Sequence, residues 1–198
     1  REALDSNSPI AIDTETTGLN IRDGRDYAMG MSMSYHSATG INSFYLPFRH
    51  EYDNYTWSHF GELIQKVLDS KKIIMHNAKF DLVSLRTLRF DTSNTDFVDT
   101  MILAHLVDEN KPYSGKGLDS LAKYYLKDSG KAKSEQFESV VAFGGWGCIW
   151  PALMAEYASK DTEMTLRLYE HLWDMFGAEV INADHIWKHK RDFIKVIT

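Results

Sequence analysis

Cysteine is nearly absent from this 198-residue chain. Cys148 stands alone, so no internal disulfide can form, and a reducing compartment suits the sequence. Long apolar runs are missing as well. The existing ones are short and broken by charge, which excludes the stretch of roughly 20 apolar residues that a membrane-spanning helix needs. The N-terminus has neither the basic nor the apolar block of a signal peptide. Positive charge is scarce: 22 Lys and Arg stand against 28 Asp and Glu, for a formal net charge of −6. A broad basic face that coats duplex DNA is therefore not expected. An acidic balance does not exclude chemistry on nucleic acid, because bound cations reverse the charge locally. No repeat or low-complexity tract is present. What remains is an ordinary globular composition, 43% hydrophobic and 25% charged. The length suits one domain with a short appendage.

The first half reads as strands, and helices alternate with strands after it. Ile10-Ala11-Ile12 marks a buried first strand at 8–14. Residues 28–36 alternate apolar and polar, and 42–48 form a third strand stopped by Pro47. Helices are expected at 56–69, capped by Thr56, and at 78–89, 100–108, 117–127 and 151–176. Short strands are expected at 72–76 and 96–99. The segment 128–150 is the least regular, and its glycines argue against a long helix. Pro151 opens the long helix, Gly177 is expected to close it, and a last helix covers 183–196. The order implies a mixed sheet flanked by helices, with the first strand central.

Chemistry concentrates in three islands. Asp13 and Glu15 end the first strand, on one face and roughly 6.5–7 Å apart. The plain alternative is a strand running into a turn, but two charges at the end of a buried strand need partners or a metal. Asp81 lies in the first turn of a helix after His76-Asn77. There Asn77 reads as N-cap, and Asp81 suits the helix dipole with or without a site. Tyr157 and Asp161 are four apart on a helix and share a face, which is also the pattern of a packed Tyr beside a solvated Asp. Four acids in one pocket would repel, each close pair by on the order of 3 kcal/mol at about 5 Å and an effective dielectric near 20. Divalent metal removes that cost, so the set points to two-metal phosphoryl transfer. All-oxygen ligands favour two Mg²⁺ or Mn²⁺ ions over zinc.

Taken together, Asp13-x-Glu15, Asn77-x-x-Phe80-Asp81 and Tyr157-x-x-x-Asp161 resemble the three motifs of the DEDD superfamily of 3′→5′ exonucleases, in its tyrosine subtype. The stretch Gly117–Leu126 is similar to the proofreading domain of DNA polymerase I-type enzymes, and Trp146–Asp161 resembles their phage members. The resemblance spans about residues 8–176 and implies an RNase H-like fold. It implies that Asp13, Glu15 and Asp161 hold one metal, that Asp13 bridges to a second, and that Asp81 reaches the second through water. Tyr157, helped by Glu15, would orient the attacking water. Thr16, Leu19, Asn77, Phe80 and Phe137 match substrate-contacting positions.

The expected activity is hydrolysis of single-stranded DNA 3′ ends to nucleoside 5′-monophosphates, in the service of a DNA polymerase. A 3′→5′ exoribonuclease of the RNase D or Werner type shares the motifs and is the first rival. A non-catalytic single-strand-binding module is the second. Residues 1–177 are expected to form the exonuclease domain. The helix in 178–198 resembles the lead into a polymerase domain, so a polymerase in cis is expected, as is an Arg-initiated chain cut from a longer one. A monomer in the cytoplasm, or in the host cytoplasm for a phage source, completes the expectation. Outside the islands, Trp146 and Trp150 read as packing residues rather than base-stacking ones, and Asp99 as a helix N-cap. His36 and His50 lie near strand ends, from which they could approach the site, but nothing in the sequence ties them to it.

Overall fold

A computed structural model describes residues 2–51, 53–128 and 135–181. Five strands form one mixed sheet: β1 (Ile10–Thr16), β2 (Ala28–Ser37), β3 (Gly40–Pro47), β4 (Lys72–Met75) and β5 (Asp96–Asp99). Their order across the sheet is β3-β2-β1-β4-β5. The first three strands form an antiparallel meander, and β4 and β5 extend it in parallel with β1. β1 is thus central, as the order of strands and helices implies, and the site residues that end it lie mid-sheet.

The alternation of β1 assigns its neighbours. Ile10 and Ile12 face one core, with Ile64, Val67 and Leu68 of α2 (Trp57–Ser70) and Leu85 of α3 (Ala78–Thr87). Ala11 faces the other core, with Leu166, Leu168 and Leu172 of α7 (Pro151–Ile181) and Leu103 of α4 (Thr100–Val107). Even-numbered residues therefore point toward α3 and odd-numbered ones toward α7. On the α7 side β2 presents small residues. Ser34 donates its hydroxyl to Thr162 of α7 at 2.7 Å, which satisfies a buried pair and draws helix and sheet close.

Several local expectations change. The segment at 117–127 is α5 (Leu118–Leu121) continued by a π-helical turn, Ala122–Leu126. A short α1 (Glu2–Asp5) precedes β1. The irregular segment holds a ten-residue helix, α6 (Glu135–Gly144), because Phe137, Val140 and Val141 give it an apolar stripe to bury. Gly145, at φ 80°, follows its end. Gly177 does not close α7, which runs on to Ile181. Glycine permits a helix to end but does not compel it, and a helical Gly costs only about 1 kcal/mol relative to Ala. Asn77 holds the N-cap position of α3 but makes no side-chain cap bond, and its backbone is left-handed. Asp99 supplies the cap, accepting the N–H groups of Asn77 and Ala78 as well as that of Met101 at the start of α4. The helix expected at 183–196 lies outside the described residues. Among the described residues no helix is long and apolar enough to cross a membrane.

Candidate active site

Asp13 and Glu15 lie on the face of β1 that meets α7, and Asp161 projects from α7 toward them. One carboxylate oxygen from each of the three falls within 4.8 Å of the others. Glu15 and Asp161 are buried and Asp13 is half-buried. Three hard oxygen donors at that spacing fit a divalent ion such as Mg²⁺ or Mn²⁺.

Asp81 approaches from the opposite face. Thr14, between the two acids of β1, points toward α3, and both its backbone N–H and its hydroxyl donate to Asp81 Oδ1, at 2.9 and 2.6 Å. Burial raises the Asp81 pKa to about 7. The Thr14 hydrogen bonds oppose that rise, and the charges of Asp99 and Asp161 add to it. The charge of Asp161 therefore reaches Asp81, although Asp81 stands outside the triad of converging oxygens.

Tyr157 lies one turn before Asp161 on α7. Its ring stacks on Phe137 of α6, with centroids 4.7 Å apart and planes 28° apart, and meets Trp146 edge-on at 5.9 Å. Phe137 is only 2% exposed, so its contact here is with Tyr157 rather than with open space. Trp146 packs as expected, whereas Trp150 is exposed. Leu19, Asn77 and Phe80 come together, lining a cleft of about 240 Å³ with Ile21, Arg22, Lys79 and Val83. Leu19 is 83% exposed. Thr16 is half-buried, its hydroxyl donating to the Gly18 carbonyl at 2.8 Å, and does not line that cleft.

Sequence reasoning passed over Thr14, Arg22 and Lys79, and saw only half of Asp99. Strand alternation was the available signal for Thr14, since a residue between two site acids must face the other layer. Of the two histidines near strand ends, His36 pairs with Glu170 at 2.5 Å. His50 is buried beside Tyr45.

The family model for 3′-5′ exonuclease matches residues 1–176. The chain belongs to the 3′–5′ exonuclease family of polymerase I-type enzymes. It is 30% identical to the DNA polymerase DpoZ of Salmonella phage PMBT28, over 93% of this chain and 29% of that protein. It is 32% identical to the DNA polymerase of Escherichia phage T5, over 81% and 19%. With DNA polymerase I of Borreliella burgdorferi it shares 31% identity, over 85% and 17%. The chain thus spans less than a third of the length of these relatives. Among solved structures, Brucella melitensis NrnC with bound Mg²⁺ superposes with a TM-score of 0.60 at 24% identity, over 86% of this chain and 74% of that one. The shared fold is the RNase H-like one, a mixed five-stranded sheet flanked by helices.

Proposed function

We propose that this exonuclease hydrolyses single-stranded DNA from the 3′ end through divalent metal held by Asp13, Glu15 and Asp161, releasing nucleoside 5′-monophosphates. The convergence of those three carboxylates at the centre of a 3′–5′ exonuclease fold carries the reading. When bound, Mg²⁺ or Mn²⁺ supplies Lewis acidity toward the scissile phosphate and neutralises the clustered acids. Asp13 together with Asp81 would hold a second such ion. The Tyr157 hydroxyl and Glu15 orient the attacking water for in-line entry at the last phosphodiester, and the bond to the 3′ oxygen breaks. The cleft of Leu19, Asn77 and Phe80 receives the terminal nucleotides, and Arg22 and Lys79 at its wall attract their phosphates. Residues 1–177 act as the exonuclease unit. Residues 178–198 lead toward a polymerase in cis, and the phage and bacterial relatives support proofreading as the role.

Degradation of a 5′-labelled single strand tests this reading. With Mn²⁺ a ladder should shorten from the 3′ end, and EDTA should stop it. A matched RNA strand degraded faster than the DNA would make the domain an exoribonuclease. An intact strand that still binds would make it a binding module.

A further inference from the structure

Tyr45 of β3 and His50 just after it are buried, and neither has a part in the chemistry above. Tyr45 Oη and His50 Nε2 lie 2.7 Å apart, and His50 Nδ1 lies 2.9 Å from the Ile149 carbonyl oxygen. A carbonyl only accepts, so Nδ1 carries the proton. In the neutral ring Nε2 then accepts from the Tyr45 hydroxyl. Burial lowers the His50 pKa, which favours the neutral ring.

This chain of hydrogen bonds links β3 to the segment that leads into α7. At one end Tyr45 lies over Gly30, the cross-strand partner of Glu15. A Cβ on Gly30 would collide with the Tyr45 hydroxyl, so the glycine makes room for the phenol. Burial chiefly, and then the charges of Glu15 and Asp13, raise the Tyr45 pKa, which places the hydroxyl within electrostatic reach of both acids. At the other end, Ile149 comes two residues before α7 begins. It belongs, with Tyr45 itself, to the packed cluster of Phe137, Trp146, Ala158 and Tyr157, so the polar chain sets the spacing within a cluster that reaches from β3 to α7. An apolar pair of the same size would fill this space without desolvating an imidazole and a phenol. The polar bridge fixes direction and spacing instead.

We infer that Tyr45 and His50 are positioning residues that set the separation of Glu15 from Tyr157 across the site. This rests on the reading of Glu15 and Tyr157 as the pair that orients the attacking water. Steady-state cleavage of a labelled single strand at saturating Mn²⁺ tests it, with each variant held well below its melting midpoint. Tyr45→Phe and His50→Leu should each lower kcat about ten-fold with KM within about two-fold. The double variant should lose little more than the worse single one, because both cut the same bridge. His50→Gln keeps one donor and one acceptor and should recover most of the rate. A merely stabilising contact would leave kcat of the folded enzyme intact. If His50→Leu does not fold, Tyr45→Phe, which removes one oxygen and keeps the shape, decides alone. A folded Tyr45→Phe with wild-type kcat, beside an inactive Asp13→Ala, overturns the bridge. Losses that multiply in the double variant overturn it too. An active Asp13→Ala overturns the site reading and the bridge with it.

Discussion

The strand-built half of the site and the helix-built half hold their side chains by different means. In the first, main-chain geometry does the holding. Asp13 and Glu15 are held by pairing with Ser32 and Gly30 of β2, on a strand that β4 braces at Ile10 and Ala11, and Asp81 is gripped by a backbone N–H and a hydroxyl from Thr14. In the second, side-chain packing does it. Tyr157 packs against Phe137 and Trp146, which also touch each other, and these come from a short helix and a single turn of 3₁₀ helix whose glycines give little rigidity of their own. Three of the four proposed metal-contacting acids thus come from a sheet-braced half, while the proposed water-orienting tyrosine depends on an aromatic cluster. Substitutions in the first half should act through charge, and those in the second through packing.

The largest expected effect is symmetrical and tests whether the halves meet. Asp13→Ala and Asp161→Ala, one from each half, should each lower kcat by on the order of 10²–10³ in single-turnover assays. A large loss in only one would split the site. Next, Tyr157→Phe should lower kcat about 10²-fold while leaving DNA affinity by fluorescence anisotropy near wild type, because only the hydroxyl is removed. Phe137→Ala should destabilise the domain by about 3–5 kcal/mol in urea unfolding and slow cleavage by freeing Tyr157. Phe137→Leu should restore much of both. The smallest effect belongs to the braced half. Thr14→Val removes one hydrogen bond to Asp81 and leaves the backbone one. It should cost about 1 kcal/mol in the same unfolding assay and less than about ten-fold in kcat. A collapse of activity there would mean that the hydroxyl, not the main chain, holds Asp81.

The same contrast marks what could be read from the residues alone. The order of strands, the central place of β1 and the helix carrying Tyr157 and Asp161 follow from apolar periodicity, which is a local property. The acids declared themselves because charge at the end of a buried strand has few explanations. The helix at Glu135–Gly144 was hidden because its apolar stripe is short and lies between polar residues and glycines. Its partner surface, the cluster around Tyr157, appears only in the fold. Asp99 was legible as the cap of α4, two residues from Met101. Its hold on Asn77 and Ala78, 22 and 21 residues away, has no local signal. Asn77 makes no cap bond because its backbone is left-handed, at φ 65°, rather than in the extended conformation of a capping residue. Arg22 and Lys79 share a cleft only because the turn after β1 folds over the start of α3.

The most direct test of the central claim is the thermal shift caused by Mn²⁺ in the wild-type chain, Asp13→Ala and Asp161→Ala. At about a hundred-fold excess over Kd the wild type should gain on the order of 5–10 °C, because metal binds the assembled acids and not the unfolded chain. Each variant should lose that gain, even if removal of one repelling charge makes its metal-free form melt higher. A shift that survives in either variant would contradict a metal held jointly by strand and helix.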